Sequence, residues 1–362
     1  MGEMGVTTLM IAGGGTGGHI YPAIAVAREF IARDAKRRVV FVGTERGLEK
    51  TIVPKAGFPL EFISATGLQG KGGLDRLRSL LKIPVGFAQA FRLIGKHKPS
   101  AVLGVGGYSS GPVLAAAKLR GVPTIIHEQN AYPGLTNRML AKFVKAVAVA
   151  FAEAGPRLKR DDAIVTGNPV RAEFFAAAQP RNRATRQLLV FGGSQGSRIL
   201  NDTMSGALLF LARLKDQMDI VHQTGPNELA KVQQAYRTSA FSNARVVAYL
   251  DPIVDEIAAA DLVVCRAGAM TIGELAAVGR PAIFVPFAAA TNNHQEMNAR
   301  VVEQAGGGIV IPEAELSPER LAATISEVIS DPARVQRMGA AAKALATPEA
   351  TKRIVDTIEK II

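Results

Sequence analysis

Three glycine-rich turns hold the residues best suited to chemistry. Gly13-Gly14-Gly15-Thr16-Gly17-Gly18-His19 follows a short apolar run and opens a helical pattern, and Gly192-Gly193-Ser194-Gln195-Gly196 does the same in the second half. Gly104-Val105-Gly106-Gly107-Tyr108-Ser109-Ser110-Gly111 is the third. Such turns lack side chains, so backbone N–H groups and a helix N-terminus can approach phosphate oxygens. Tight packing explains any one of them equally well. One in each half of the chain fits a diphosphate-bearing ligand better. A nicotinamide dinucleotide fits less well, because the acidic ribose ligand expected about 20 residues downstream is missing. Position 38 is Arg, and the next carboxylate is Glu45.

Two further clusters sit where predicted strands end. Arg266-Ala267-Gly268-Ala269-Met270-Thr271-Ile272-Gly273-Glu274 makes another anion site from small residues and a helix start. Glu274, a turn into that helix, could accept two hydrogen bonds from a ribose diol, although a glutamate there also suits the helix dipole. His127-Glu128-Gln129-Asn130 places four polar residues at the sheet edge where open α/β sheets bind ligands. No D-x-D and no His/carboxylate cluster of metal-ligand spacing occurs, which predicts a reaction needing neither metal nor cofactor. The one cysteine, Cys265, permits no internal disulfide and reads as a small buried apolar residue in a reducing compartment.

These clusters must be positioned by alternating strands and helices. The predicted strands are 6–12, 38–43, 101–105, 123–127 and 146–150, then 187–191, 220–223, 245–248, 262–265 and 281–285. Helical patterns lie between most of them, as in parallel βαβ units, so the fold class is α/β with two doubly wound, Rossmann-like domains. A length of 362 residues fits that count. The joint is Gly167-Asn168-Pro169-Val170, dividing 1–170 from 171–346. After Ile311 the pattern turns helical, with Ser317-Pro318, Asp331-Pro332 and Thr347-Pro348 each read as an N-cap before proline.

Charge is distributed unevenly. Residues 1–170 hold 23 Lys and Arg against 11 Asp and Glu, which is the whole net +12 of the chain. Within 71–98 stand Lys71, Arg76, Arg78, Lys82, Arg92, Lys96 and Lys98 against Asp75 alone. Leu74, Leu77 and Leu81, then Phe87, Phe91 and Ile94, recur there at helical spacing. Two readings follow: a core-facing helix with a solvated basic face, or an amphipathic helix on an anionic membrane. Nucleic acid is disfavoured, since no binding motif accompanies the charge and there is no tryptophan. No apolar run approaches the roughly 20 residues of a membrane span, and residues 6–12 lack the flanks of a signal peptide.

Taken together, seven ordered motifs carry a specific resemblance. Gly14-Gly15-Thr16-Gly17-Gly18-His19, Gly106-Gly107-Tyr108, His127-Glu128-Gln129-Asn130, Gly167-Asn168-Pro169-Val170-Arg171, Gly192-Gly193-Ser194-Gln195-Gly196, Arg266-Ala267-Gly268-Ala269 and Pro286-Phe287 resemble the MurG family from about residue 8 to 345. The resemblance implies a GT-B arrangement, two Rossmann-like domains facing a cleft with the last helix, 347–362, crossing back to the first. It implies inverting transfer of N-acetylglucosamine from UDP-GlcNAc to the C4 hydroxyl of N-acetylmuramic acid in lipid I, giving lipid II. The donor would lie against the second domain. Ser194 and the helix start at Ala269, Met270 and Thr271 would meet its diphosphate, Glu274 its ribose, and Arg171 with the backbone near Leu250 its uracil, with Ile272 and Gly273 also against the donor. Asn130 and Gln295 would contact the sugar, although Ala288-Ala289-Ala290-Thr291 is the least motif-like part of that site. Thr16, Gly17 and Gly18 would face the reaction centre.

The acceptor hydroxyl needs a base. His19 is the first candidate, with an unperturbed pKa of about 6.5, and Glu128 the second, with Tyr108 and His127 as positioning groups. An acceptor on a polyprenyl tail stays at the bilayer, which favours the membrane reading for Leu74, Arg76, Leu77, Arg78, Leu81, Lys82, Phe87 and Phe91. The expected place is the cytoplasmic face of the inner membrane, peripherally bound, with cell-wall synthesis and division proteins as possible partners. The Gly67 to Gly73 loop could close over the acceptor or be a passive connector. Competing readings are another GT-B lipid glycosyltransferase, a sugar-nucleotide epimerase, a nicotinamide oxidoreductase and a basic binding module.

Overall fold

The computed structural model describes residues 7–65, 73–177 and 184–362, except for the side chains of residues 73–83 and 291. The chain divides into two compact units, Met1–Val170 with Thr347–Ile362, and Arg171–Ala346. In the first, β1 (Thr8–Ala12), β2 (Arg38–Gly43), β3 (Leu60–Phe62), β4 (Ala101–Gly104), β5 (Thr124–Glu128), β6 (Ala146–Val149) and β7 (Ile164–Val165) form one sheet. Its order is β3-β2-β1-β4-β5-β6-β7 and every pairing is parallel. Helices α1 (Gly17–Ala32), α2 (Glu49–Lys55), α3 (Gly73–His97), α4 (Ser110–Leu119), α5 (Leu135–Leu140) and α6 (Ala154–Leu158) connect the strands.

Central strands of such a sheet are buried on both faces, so they read as continuous apolar runs. Leu9 and Ile11 of β1 pack into one core with Phe30 and Phe41. Met10 and Ala12 pack into the opposite core with Leu114 and Ile126. The alternation follows from the two-residue repeat of an extended strand.

The second unit starts with α7 (Ala172–Ala176) and carries β8 (Arg186–Phe191), β9 (Met218–Gln223), β10 (Arg245–Val247), β11 (Leu262–Cys265), β12 (Ala282–Phe284) and β13 (Gly308–Val310). Its parallel sheet has the order β10-β9-β8-β11-β12-β13. The helices are α8 (Arg198–Leu211), α9 (Leu229–Arg237), α10 (Ile253–Ala259), α11 (Ala269–Val278), α12 (His294–Gln304), α13 (Pro318–Ile329) and α14 (Pro332–Ala344). Leu188, Val190, Leu262 and Val264 share a core with Leu200 and Met204 of α8 and Ile325 of α13. Both sheets therefore run outward in two directions from a central pair, β1 with β4 and β8 with β11. That is the doubly wound order, with ligand sites at the carboxyl ends of the central pair.

Several boundaries differ from the sequence reading. β3, β7 and β13 were not foreseen; each is two or three residues long at or near a sheet edge, too short for a periodic signal. Helix α1 begins at Gly17 and carries Pro22 in its second turn. Ser317 and Asp331 do cap their helices, accepting from Arg320 N at 3.2 Å and Arg334 N at 2.9 Å. Thr347 does not: the last helix, α15 (Ala350–Ile361), is preceded by Glu349.

Helix α3 corrects the membrane expectation in its C-terminal half. Phe87 and Phe91 do not face outward; they pack against the first unit's core, Ile94 is buried, and the Arg120 guanidinium lies 3.8 Å from the Phe91 ring centre. An apolar stripe beside a sheet gains more by covering it than by facing solvent. Arg92, Lys96 and Lys98 lie on the exposed side. The Gly67 to Gly73 loop falls outside the described residues up to Gly73, and so do the side chains of Leu74, Arg76, Leu77, Arg78, Leu81 and Lys82. Among the described residues no helix is long and apolar enough to cross a membrane.

Helix α15 belongs to the first unit. Ile354, Val355, Ile358 and Ile361 enter the core shared with Phe30, while Arg33 reaches Asp356 at 2.7 Å and Glu359 at 2.8 Å. Partly exposed ion pairs contribute at most about 1 kcal/mol each, so apolar burial dominates. Ile358→Ala, at a fully buried position, should therefore cost about 2–5 kcal/mol in urea denaturation. Asp356→Ala should cost about 1 kcal/mol or less.

Candidate functional site

In the first unit two glycine turns meet where β1 and β4 end. Val105 N donates to Ala12 O at 3.0 Å, and a Cβ on Gly107, whose φ is +81°, would lie 2.6 Å from Gly14 O. Only glycine permits that approach, because the position needs both positive φ and no side chain. Ser110 Oγ lies 2.8 Å from both Ala12 O and Gly106 O and ties the turns together. His19, in the first turn of α1, donates from Nδ1 to Gly14 O at 3.1 Å. That bond fixes the tautomer and puts the ring's lone pair on Nε2, which lies beside Gly106. Thr16 and Gly18 are exposed at the mouth of the turn, and Tyr108 is an exposed aromatic on the neighbouring one.

The loop after β5 is held internally. His127 is buried; its Nε2 donates to Gly167 O at 3.1 Å and its Nδ1 accepts from Gln129 Nε2 at 3.2 Å. Burial depresses its pKa to about 4. It is a neutral strut. Glu128 is also buried, and both its oxygens are taken: Oε1 by Asn130 N and Nδ2 at 3.0 and 3.1 Å, Oε2 by Gly134 N at 3.1 Å and Asn137 Nδ2 at 2.8 Å. With four donors upon it, Glu128 is tied into the loop that carries Asn130, a geometry that suits positioning better than the expected role as alternative base. The joint joins the same cluster, since Asn168 Nδ2 donates to Gln129 O at 3.1 Å.

In the second unit the interlocked glycine turns follow β8 and its neighbour β9, not the central pair β8 and β11. Gly196 and Gly225 have positive φ, and a Cβ on either would overlap the other turn's backbone, at Thr224 and Gln195. Gln223 spans two segments, donating to Gly193 O at 2.9 Å and accepting from Leu250 N at 3.0 Å. Leu250 N–H is thus already engaged. Arg266 donates to Ser197 Oγ at 2.7 Å and Val285 O at 3.0 Å, and pairs with Glu313 at 2.5 Å. Around it lies a cavity of about 490 Å³ lined by Gly192, Gly193, Gly196, Ser197, Gly268, Thr271, Phe287 and Gln295, with Ser194 and Gln195 outside the lining. Helix α11 points its N-terminus there with no acidic residue in its first turn and no side-chain cap. Gln295 Oε1 accepts from Phe287 N at 3.0 Å, so its expected sugar contact falls to the remaining amide nitrogen.

Glu274 lies a turn further along α11, 18% exposed, with Arg171 Nη2 3.8 Å from its Oε1. Arg171 is shared with Glu173 at 2.8 Å and stacks on Phe174 at 4.9 Å. The structure thus brings Arg171 and Glu274 together, and places Ser194 on the exposed turn. Sequence reasoning missed Ser197 and Gln223 and quoted Arg266 without a role. Ser197 was findable as a serine directly before a helix. Cys265 is fully buried, and burial raises its thiol pKa. Among the described residues, no group of three or more His, Cys, Asp or Glu could hold a metal ion.

Two doubly wound parallel sheets with interlocked glycine turns at strand carboxyl ends, one beside an anion-receptive cavity, define the GT-B class of glycosyltransferases. Residues 9–149 match the glycosyltransferase family 28 N-terminal domain and residues 187–354 its C-terminal domain. A Geobacter sulfurreducens protein named UDP-N-acetylglucosamine--N-acetylmuramyl-(pentapeptide) pyrophosphoryl-undecaprenol N-acetylglucosamine transferase is 46% identical over 96% of this chain and 97% of its own. A Myxococcus xanthus protein of the same name is 45% identical over 96% and 91%. The crystal structure of Acinetobacter baumannii MurG has TM-score 0.82 at 30% identity, over 98% of this chain and 99% of that one. The chain belongs to the MurG family of glycosyltransferases.

Burial raises the Glu274 carboxyl from its ordinary 4.5 to about 7, with Arg171 opposing and Glu173 adding to the shift. A folded value above the unfolded one means that ionising Glu274 costs stability as pH rises from 4.5 to about 7. Glu274→Gln should therefore melt above the unmodified protein at about pH 8 and level with it at about pH 4.

Proposed function

We propose that this protein transfers N-acetylglucosamine from UDP-GlcNAc to the C4 hydroxyl of N-acetylmuramic acid in undecaprenyl-pyrophosphoryl-MurNAc-pentapeptide, giving lipid II for peptidoglycan synthesis. The observation that carries this reading is the second-unit cavity, where Gly192, Gly193, Gly196, Ser197, Arg266 and the start of α11, which has no acidic residue in its first turn, converge. Glu274 accepts from the ribose hydroxyls and Arg171 flanks the uracil near Leu250. Ser194 and the amides of Ala269 to Gly273 receive the diphosphate. As the bond from C1 to the phosphate oxygen breaks, UDP leaves with the electron pair and gains charge. Oriented amides at a helix start stabilise that charge without reorganising.

The acceptor is assigned to the first unit. His19 Nε2 takes the C4 hydroxyl proton while the oxygen forms its bond to C1, and attack opposite the leaving group inverts the anomeric centre. Thr16, Gly17, Gly18, Tyr108 and Asn130 surround the acceptor and the transferred sugar. No residue is given to a metal or cofactor. The N-terminal half of α3, with Arg76, Arg78 and Lys82, is assigned to anionic lipid at the inner membrane's cytoplasmic face. Its charge excess supports this.

Two measurements test the assignment. Radiolabelled transfer from UDP-GlcNAc to a lipid I analogue should fall at least about a hundredfold in His19→Ala, with the donor KM little changed. In Glu274→Ala the donor KM should rise at least about tenfold. Replacing Arg76, Arg78 and Lys82 by alanine should weaken binding to anionic vesicles in a salt-dependent way, with turnover of a water-soluble acceptor kept. Unchanged vesicle binding would remove the membrane assignment.

A further inference from the structure

Glu49 was not among the residues expected to matter, yet it is buried against the first glycine turn. Its Oε2 accepts from Gly15 N at 2.8 Å, and its Oε1 accepts from Thr44 N at 2.8 Å and Thr44 Oγ1 at 3.0 Å. Gly14, Gly43 and Gly47 enclose it so closely that a Cβ on any of them would overlap its side chain. The described residues place no ion pair on it. A site that the sequence suggested for a ligand's phosphate is filled by the protein's own carboxylate.

The N–H of Gly15 and the C=O of Gly14 belong to one peptide group. Glu49 holds the first end and His19 Nδ1–H the second, at 3.1 Å. A carboxylate accepting from the N–H polarises the group and makes its carbonyl a better acceptor. We infer that Glu49 and His19 form a carboxylate–histidine pair bridged by the Gly14–Gly15 peptide, with Glu49 as a positioning residue that holds the imidazole in its Nδ1–H tautomer. Carboxylates that hold a histidine directly do the same work. The inference rests on His19 being the base. It adds the group that keeps Nε2 ready for the acceptor proton.

Glu49→Gln keeps the size of the side chain but turns an N–H donor toward either Gly15 N or Thr44 N. Turnover should fall about tenfold to a hundredfold, with the KM for UDP-GlcNAc little changed, because the UDP part of the donor is assigned to the other unit. Glu49→Gln combined with His19→Ala should be no slower than His19→Ala alone. In ¹⁵N-histidine NMR spectra of the full chain, the His19 signal, identified by its loss in His19→Ala, should be Nδ1–H in the unmodified protein and mixed in Glu49→Gln. Gly47→Ala pushes Oε2 aside without removing the charge and should reproduce the pattern if Glu49→Gln fails to fold. An unchanged tautomer in both variants, or multiplicative losses in the double variant, would overturn the inference. A changed tautomer with unchanged turnover would instead keep the pair and refute His19 as base.

Discussion

Backbone touching backbone at the carboxyl edge of each sheet is the constraint on which the other features of this protein depend. A doubly wound parallel sheet delivers two strand ends side by side, and the segments leaving them compete for one small volume. They fit because Gly107 sits against Gly14 in the first unit and Gly196 interlocks with Gly225 in the second. Any side chain at these positions would push a helix N-terminus away from the sheet edge. His19 is placed beside the first contact, and Gly196 of the second lines the cavity beside Arg266.

The two units use the same plan for opposite electrostatic ends. The first turn receives an internal carboxylate, so its amide polarity is spent within the protein and reappears at the Gly14 carbonyl that faces His19. The second turn is braced by neutral or cationic groups, Gln223 from below and Arg266 through Ser197. It keeps its polarity for a ligand's phosphates. The proposed roles, a base beside the first turn and a leaving-group site beside the second, call for these opposite treatments.

Much of this was legible from the chain. Ten strands were readable because buried parallel strands are continuous β-branched runs. The three that were not have too few residues to show any period. Phe87 and Phe91 show where periodicity stops informing: an apolar stripe at helical spacing states that something covers it, not whether that is lipid or the protein's own sheet. Thr347-Pro348 looked like a cap for the same reason that Ser317-Pro318 and Asp331-Pro332 were caps. Local chemistry permitted all three, and packing used two.

By itself the sequence displayed the α/β class and the glycine turns, and it singled out Glu274, Arg171 and His19 as candidates for binding or reaction. These depend on local order along the chain, which a sequence displays directly. Only the tertiary structure decided that Glu128 is saturated by four donors, that His127 is a buried neutral strut, and that Arg266 braces Ser197. It alone placed Glu49 on the peptide that holds His19. The hydrogen bonds from Gly15 to Glu49, His127 to Gly167 and Arg266 to Ser197 join groups 30 or more residues apart in the chain. Their partners are set by which strands become neighbours, and residue spacing carries no record of that.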